Sequence, residues 1–239
     1  MGDIMEFYTK DGKRVNYTFF SKLGRFFHIV GSGDEGFVFK EGDRVLKIHH
    51  PIPLKSVLDE DTAVKLTKLN TQRVLLPGKE NDSLLFDGDG NFVAYKSKYV
   101  KNLRIRNLLN LDSQKLKEEA TLLKEDVLTL SNANILMDDL LFQNFVFHYG
   151  IYLVDVGSFR FIFDDVLSIY QQNMKELDRG LMEIMYYADR VLESDSWASI
   201  RKISQIYSYY LDSGYMNVVD FMNEEIKEDS LEKYLIKIR

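Results

Sequence analysis

The sequence contains no cysteine, only four histidines and only three prolines among its 239 residues. Without cysteine the chain has no disulfide, no zinc–thiolate site and no thiol nucleophile. Two of the histidines, His49 and His50, are adjacent, which argues against a metal site built from histidines. The lack of cysteine fits a reducing compartment, and the N-terminus lacks the regions of a secretory signal, so we predict a cytoplasmic protein.

Long hydrophobic runs and basic clusters are also missing. The most apolar stretch, from Leu140 to Phe163, is interrupted by polar residues and has the pattern of buried strands, not of a membrane helix. The formal net charge is -6, and the basic residues are scattered along the chain. Composition therefore predicts a globular protein that binds neither membranes nor nucleic acids.

The first hundred residues have the pattern of antiparallel strands. Three β-hairpins are predicted, with turns at residues 10–13, 41–43 and 87–91. One helix, from about Leu58 to Leu69, is predicted between the second and third hairpins, because Ala63, Leu66 and Leu69 recur at helical spacing.

After about Asn102 the pattern becomes mostly helical. A long amphipathic helix is predicted over Leu111–Leu130, and helices are predicted from about Asp164 to the end. Two short β stretches, 145–147 and 151–154, lie between them. Helix breaks are expected near residues 194–196, 213–214 and 229–230. The sequence thus predicts two domains, a β-rich domain over residues 1–100 and a helical domain over residues 101–239.

Three closely spaced glycines, Gly31, Gly33 and Gly36, form the first motif with chemical implications. Glycine lets a backbone approach a phosphate closely because it has no Cβ. A dinucleotide-binding fold needs a helix directly after the glycines, and a Walker loop needs Lys and Ser or Thr, but Phe37 and Val38 stand there. A glycine-rich loop between two antiparallel strands is the nucleotide-binding arrangement that remains, and an ordinary glycine-rich turn is the alternative.

The second motif is a lysine among apolar residues. Lys47 lies within a predicted strand, where burying an unpaired ammonium group is costly. We therefore expect a carboxylate partner, and the helix that follows offers Asp59, Glu60 and Asp61. The alternative is a lysine that faces solvent at the edge of the sheet.

The second half of the chain contains two further candidate motifs. Asp139 and Asn144 are five residues apart and precede a β stretch, so one loop could present both side chains to one site. The Asp could accept a hydroxyl proton, and the carbonyl of the Asn could bind a metal. Asp155 ends an apolar strand, where a divalent cation would stabilise it, and Gly157 gives the backbone room to turn. Solvated turn residues are the alternative interpretation.

In their order along the chain these motifs resemble those of the protein-kinase superfamily, over roughly Ile29 to Gly157. The resemblance implies an α+β, two-lobed protein-kinase-like fold. Its first lobe would contain an antiparallel sheet and one helix, and its second lobe would be mostly helical. ATP and magnesium would bind in the cleft between the lobes.

The resemblance also implies a role for each motif. The glycine-rich loop would cover the phosphates, and Lys47, held by Glu60, would bind the α- and β-phosphates. We favour Glu60 because its spacing to the apolar positions resembles that in kinases. Asp139 would orient and deprotonate the acceptor hydroxyl, while Asn144 and Asp155 would hold magnesium. The other predicted nucleotide-binding residues are Ser32, Val38, Val45 and, at the hinge that reaches the adenine, Tyr99 and Val100.

Two features depart from the family pattern. Met137 and Asp138 stand where the family has His-Arg, which argues against control by a phosphorylated activation segment. No Ala-Pro-Glu motif follows Gly157, and the next helix is expected soon after it.

Asp178, two residues before Gly180, is a further acidic residue of interest. It resembles the buried Asp that supports the catalytic loop in protein kinases. An exposed Asp on a helix is the alternative interpretation.

The predicted function is ATP- and Mg²⁺-dependent transfer of a phosphoryl group to a hydroxyl acceptor, with protein Ser/Thr favoured as the acceptor. A small-molecule kinase, similar to aminoglycoside or choline kinases, is one alternative. A pseudokinase that acts as a nucleotide-binding or regulatory module is the other.

Overall fold

The computed structural model describes residues 3–19, 28–51, 57–102, 113–192, 210, 215, 217–229 and 233–234. The chain divides into two compact units, each of which is described by itself. The first unit comprises Met1–Asn70, Leu75–Val100 and Val156–Phe161, and the second comprises Thr71–Val74, Lys101–Asp155 and Ile162–Arg239. These units differ from the two predicted domains in the short segments 71–74 and 156–161. Among the described residues, no helix combines the length and apolarity needed to span a bilayer.

Seven strands of the first unit form one antiparallel sheet. They are β1 (Asp3–Thr9), β2 (Arg14–Phe19), β3 (His28–Ser32), β4 (Gly36–Glu41), β5 (Arg44–His49), β6 (Leu84–Phe86) and β7 (Phe92–Lys98). Their order across the sheet is β2-β1-β6-β7-β5-β4-β3. The three predicted hairpins are confirmed as β1–β2, β4–β5 and β6–β7.

Local chemistry explains why these hairpins form. Gly42 and Gly90, in two of the turns, have φ angles of 61° and 85°, a region that costs other residues about 1–2 kcal/mol. Apolar residues alternate along the strands, so one face of the sheet carries an apolar cluster. Its buried members are Phe7, Tyr17, Phe39, Leu46, Ile48, Leu85 and Ala94.

One helix, α1 (Glu60–Leu66), belongs to the first unit. The Asp59 carboxylate accepts a hydrogen bond from the backbone N–H of Thr62 at 2.8 Å, which caps the helix at its N-terminus. Ala63 and Leu66 are the apolar residues that α1 buries. The helix is shorter than predicted, because the Asp59 cap sets its start and the chain leaves it in a turn after Leu66.

The second unit contains three described helices and several short strands. The helices are α2 (Ser113–Asn132), α3 (Val166–Leu192) and α4 (Val218–Glu225). The short strands are β8 (Ile135–Leu136), β9 (Phe145–Phe147) and β10 (Ile151–Leu153), followed in the first unit by β11 (Arg160–Phe161). A single 3₁₀ turn, Phe142–Asn144, precedes β9.

The predictions for the second half agree with this pattern. β9 and β10 pair antiparallel, so the two predicted β stretches are confirmed as a hairpin. α2 buries residues three or four apart, which form the stripe predicted for an amphipathic helix, namely Leu116, Ala120, Leu123, Val127 and Leu130. The helix breaks predicted near residues 194–196 and 213–214 lie outside the described residues.

Candidate functional site

The glycine-rich loop joins two antiparallel strands, an arrangement that the sequence predicted. β3 pairs with β4, and Gly31 lies opposite Val38. The backbone N–H of Gly33 donates to the carbonyl of Gly36 at 3.1 Å and closes the turn. No helix follows the glycines, because β4 begins at Gly36 itself. The geometry therefore differs from that of a dinucleotide-binding loop.

The three glycines of the loop differ in what surrounds them. A Cβ on Gly36 would clash with the backbone carbonyl of Ile48, so glycine is needed there for strands β4 and β5 to approach. A Cβ on Gly31 would make only ordinary contacts, and a Cβ on Gly33 would meet nothing within 4 Å in the described part of the chain. The close packing of β4 against β5 thus explains why residue 36 is a glycine. At Gly31 and Gly33 the backbone stays open, so a ligand could approach it.

Lys47 is buried in the middle of β5. Lys47 as a whole is 6% exposed, and its Nζ atom lies 2.5 Å from Oε2 of Glu35, a residue of the glycine-rich loop. In the sheet Lys47 lies between Val38 on β4 and Tyr95 on β7. Because an unpaired buried ammonium is costly, the carboxylate of Glu35 helps to compensate the charge of Lys47 at this position. The predicted need for a carboxylate partner is met within the first unit.

The partner of Lys47 differs from the predicted one. Glu60 begins α1 with a side chain that is 43% exposed, and it forms an ion pair with Lys10 at 3.5 Å. The physical reason for the difference is the geometry of the β4–β5 hairpin. The backbone N–H of His50 donates to the carbonyl of Glu35 at 2.8 Å, which fixes Glu35 beside the end of β5. No comparable sequence signal marks Glu35, because this acid lies in the glycine-rich loop before the lysine and not on the helix that follows it.

Gly157, the glycine of the Asp-Val-Gly motif, lies against the same ion pair. A Cβ on Gly157 would clash with the Glu35 carboxylate and would lie 2.9 Å from Nζ of Lys47. The segment 156–161 is anchored to the first unit at its far end, where the backbone N–H of Phe161 donates to Oγ1 of Thr62 at 2.9 Å. Three segments that are distant in sequence, the glycine-rich loop, β5 and the turn at Gly157, therefore converge in this unit.

Asp139 and Asn144 are brought together in the second unit. Nδ2 of Asn144 donates to the backbone carbonyl of Asp139 at 2.8 Å. Asp139 has a φ angle of 58°, which is uncommon for a residue other than glycine. Such conformations occur at functional sites when the surrounding structure enforces them. The loop from Asp139 to Asn144 is therefore a defined structure, as a shared site requires.

The loop is also connected to the strand that leads to Asp155. The backbone N–H of Val154 donates to the carbonyl of Asn144 at 2.9 Å. Because the amide nitrogen of Asn144 donates to Asp139, its amide oxygen is the atom that can ligate a metal. The second unit thus holds Asp139, Asn144 and the residue before Asp155 in one network of hydrogen bonds.

Two residues of α3 hold this loop and were not predicted in that role. Oε2 of Glu183 accepts from the backbone N–H of Phe142 at 2.7 Å. A Cβ on Gly180 would lie 2.8 Å from the ring of Phe145 and 3.0 Å from the carbonyl of Leu140, so only glycine lets the loop approach the helix this closely. The sequence signal for Glu183 was weak, because it is one of many acids in the helical half.

Asp178, which was compared with a loop-supporting Asp, has its described hydrogen bonds elsewhere. Its carboxylate accepts from the backbone N–H of Val218 at 2.9 Å and from the hydroxyl of Tyr210 at 3.0 Å. Burial raises the pKa of Asp178 to about 6, although these two hydrogen bonds act in the opposite direction. The described hydrogen bonds therefore connect Asp178 to α4 and Tyr210. Glu183 is the acid of α3 that bonds to the loop from Asp139 to Asn144.

The remaining predicted nucleotide-binding residues lie in or next to the sheet. Ser32 is exposed at the end of β3, and Val45 is partly buried on β5. The backbone N–H of Tyr99 donates to the carbonyl of Asp43 at 2.8 Å, and Val100 follows it, partly buried. The Tyr99 amide is thus already engaged within the first unit, whereas the predicted hinge role would need it for the adenine.

The part of the chain that the structure describes contains no preformed carboxylate or histidine cluster for a metal ion. In the described ranges, no group of three or more His, Asp or Glu side chains is arranged to hold a metal ion. Magnesium in phosphotransferases is commonly held by one or two protein side chains together with substrate phosphates. Asn144 and Asp155 have the side-chain chemistry for that pattern, since an amide oxygen and a carboxylate are both oxygen ligands.

Comparison with known proteins does not identify the family of this chain. No protein-family model matches the sequence, and no curated protein matches it. The proposal that follows therefore depends on the chain's own residues.

Proposed function

We propose that the protein is an ATP- and magnesium-dependent phosphotransferase that transfers the γ-phosphoryl group of ATP to a hydroxyl acceptor. The observation that carries the proposal is the convergence at Lys47. The glycine-rich loop and Gly157, distant from each other in sequence, both lie against this buried cation. A buried lysine beside an open glycine backbone is suited to binding phosphate groups.

The reaction also requires a general base and metal ligands, and residues of the second unit have the chemistry for these roles. Phosphoryl transfer depends mainly on positioning and on neutralisation of charge. Bound ATP supplies the phosphoryl group, and bound magnesium neutralises part of its charge. Asn144 and Asp155 would hold the metal ion, and Asp139 would accept the proton of the acceptor hydroxyl. The hydrogen bonds that fix Asn144 to Asp139 and to Val154 support these assignments.

The acceptor that we favoured from the sequence is a protein Ser or Thr. One observation favours a small-molecule acceptor as the second candidate. Only residues 158–165 separate Gly157 from the start of α3 at Val166. So short a segment provides little backbone for docking an extended peptide, as the sequence also indicated.

The test measures three steps separately. Isothermal titration with ATP and Mg²⁺ measures binding, and ATP hydrolysis measures transfer to water, which needs no acceptor. Transfer of labelled phosphate to mixed proteins, amino sugars and choline identifies the acceptor class. We expect Asp155→Ala and Asp139→Asn to lower transfer and hydrolysis by about 100-fold or more. Asp89→Ala, in the exposed β6–β7 turn, is the matched control.

Each result of these measurements decides between the candidates. Binding with neither hydrolysis nor transfer would indicate a pseudokinase. Transfer that is unchanged in Asp155→Ala would contradict the assignment of the metal site. Absence of ATP binding to the intact chain would overturn the proposal.

A further inference from the structure

Both side chains of the ion pair between Glu35 and Lys47 are nearly buried, as they are in the pair between Arg73 and Glu119. Their side chains are 8% exposed for Lys47 and 13% exposed for Glu35. By contrast, the side chains of the pair between Lys10 and Glu60 are 60% and 43% exposed. A surface ion pair contributes little to stability, whereas separating the partners of a nearly buried pair is costly, because it leaves a desolvated charge without compensation. The Glu35 carboxylate is therefore held on Lys47 and does not merely pass near it.

The position of Glu35 is fixed by its surroundings. The backbone N–H of His50 donates to the carbonyl of Glu35 at 2.8 Å, and Nε2 of His50 lies 3.0 Å from the carbonyl of Gly33. On the other side, Gly157 leaves just enough room for the carboxylate, since a Cβ there would clash with it. Together, Lys47 and Gly157 form a small site that accepts an oxyanion, and in this structure the oxyanion is the Glu35 side chain.

We propose that Glu35 is a latch on the nucleotide site, a carboxylate in the glycine-rich loop that competes with phosphate groups for Lys47. The inference rests on the proposed function, in which Lys47 binds phosphates. Carboxylate and phosphate oxygens seek the same ammonium donors, so Glu35 has to leave Lys47 before a phosphate takes the same contact. Because His50 holds the backbone of Glu35, release requires the Glu35 side chain to change its rotamer. In the part of the chain that the structure describes, nothing lies within 4 Å of a Cβ placed on Gly33, so the loop beside Glu35 is open.

The latch lowers the apparent affinity of every ligand that needs Lys47. When the binding-competent form is only a fraction of the population, the apparent affinity falls by that fraction. A single phosphate is a weak competitor for a nearly buried ion pair, whereas a chain of phosphates can make further contacts with the loop. The latch lowers both affinities by the same factor, so the additional contacts of a triphosphate allow it to bind at concentrations where a monophosphate does not. It also keeps Lys47 paired when phosphate groups do not contact it.

The test compares charge variants of two neighbouring loop residues. Glu35→Gln keeps a hydrogen-bonding group of the same size but removes the charge, and Asp34→Asn removes the same charge one residue away, at an exposed position. Titration calorimetry with inorganic tripolyphosphate probes the phosphate site without adenine, and ATP with Mg²⁺ probes the whole ligand. If the open form is about one tenth of the population, Glu35→Gln binds tripolyphosphate roughly tenfold more tightly. Asp34→Asn is expected to change the affinity by a smaller factor.

A second variant keeps the inference testable if Glu35→Gln folds poorly. Glu35→Asp retains the charge but shortens the side chain by one methylene, so the carboxylate reaches Lys47 less well. We expect Glu35→Asp to tighten tripolyphosphate binding by an intermediate factor. A thermal melting curve for each variant verifies that the variant is folded at the temperature of the titration.

The outcomes separate failure of the latch from failure of the proposed function. Unchanged or weaker tripolyphosphate binding in both Glu35 variants would overturn the latch, and so would equal tightening in Asp34→Asn, which would indicate a general effect of charge. If the wild type transfers phosphate from ATP and the Glu35 variants bind no more tightly, the latch alone fails. If the Glu35 variants bind tripolyphosphate more tightly but no protein transfers phosphate, the latch is supported and the phosphotransferase assignment fails.

Discussion

The side-chain amide of Asn144 donates a hydrogen bond to the backbone carbonyl of Asp139 at 2.8 Å. One residue thus has two uses in the proposed site, because its nitrogen holds the loop and its oxygen can bind a metal ion. The backbone of Asn144 has a third contact, since its carbonyl accepts from Val154, the residue before Asp155.

Substitutions of Asn144 can separate these uses. Asn144→Asp keeps an oxygen ligand but loses the N–H donor, so we expect it to destabilise the loop by about 1 kcal/mol and to retain magnesium dependence. Asn144→Ala loses both and should need far more magnesium for any transfer. The measurement is a magnesium titration of ATP hydrolysis together with thermal melting. Gln143→Ala, at the exposed neighbouring position, is the control, and an equal effect there would contradict the assignment.

The backbone conformation of Asp139 gives a second prediction. Its φ angle of 58° suits glycine better than alanine, by about 1–2 kcal/mol. We therefore expect Asp139→Ala to be less stable than Asp139→Gly by about 1 kcal/mol, although both lose transfer because both lose the carboxylate. Urea denaturation measures the difference in stability. Equal stability of the two variants would show that the backbone is not held in this conformation in solution.

Glu119 on α2 gives a prediction about acid stability. Its side chain is fully buried, and it forms an ion pair with Arg73 and another with Lys115 at 2.9 Å. Burial alone would raise the pKa of Glu119, but the hydrogen bonds from Arg73 and Lys115 outweigh it and lower the pKa below its ordinary value of 4.5. The carboxylate therefore contributes stability that is complete above pH 4.5 and is lost as the pH falls through the folded-state pKa.

The corresponding variant is Glu119→Gln. It leaves Arg73 without its charged partner, so we expect a loss of about 3 kcal/mol at neutral pH and a flatter dependence of stability on pH in the acid range. The free energy of unfolding, measured in urea between neutral pH and pH 3, checks both effects. Glu118→Gln removes a half-exposed acid from the same turn of α2 and should cost less than about 1 kcal/mol. Equal losses in the two variants would mean that the buried pair contributes nothing of its own.

Asp178 should show the opposite dependence on pH. Burial raises its pKa to about 6 from the usual 3.8, so between these values the folded protein binds a proton that the unfolded chain does not. Stability from this group therefore rises as the pH falls from about 6 towards 4, and the ionised carboxylate is a cost at neutral pH.

Asp178→Asn removes that cost and can still hydrogen-bond to Val218 and Tyr210. We expect the variant to be more stable than the wild type by about 1–2 kcal/mol at pH 7.5, with the difference vanishing near pH 4. Denaturation curves at several pH values measure it. Asp61→Asn, on the exposed surface of α1, should leave the pH dependence unchanged. A variant that is less stable than the wild type at neutral pH would contradict the predicted sign.

The elements of the fold were predictable where they depend on neighbouring residues. The β1–β2, β4–β5 and β6–β7 hairpins follow from glycine-containing turns between β-rich stretches, and α2 follows from its apolar stripe. The limits of α1 were predicted less well, because the Asp59 cap begins the helix later than the apolar spacing indicated. Helix ends depend on individual capping contacts, which a periodic pattern does not contain.

The candidate site was predictable only in part. The sequence indicated that Lys47 needs a carboxylate, because burying its ammonium alone is costly. It pointed to Glu60, which instead pairs with Lys10, while Glu35 pairs with Lys47. Which acid reaches the lysine depends on the register of the β4–β5 hairpin and on the bond from His50 to the carbonyl of Glu35, and neither follows from spacing along the chain.

The sequence by itself determined the three hairpins, their turns, the long helices and the set of residues proposed to bind phosphate and metal, because these follow from local backbone preferences and from side-chain chemistry. The tertiary structure decided which of these residues meet. In the folded chain Glu35 and Gly157 lie against Lys47. Gly180 and Glu183 contact the loop that begins at Asp139 and hold it. The physical reason is that contacts between distant segments depend on how whole strands and helices pack, and packing is a property of the folded chain.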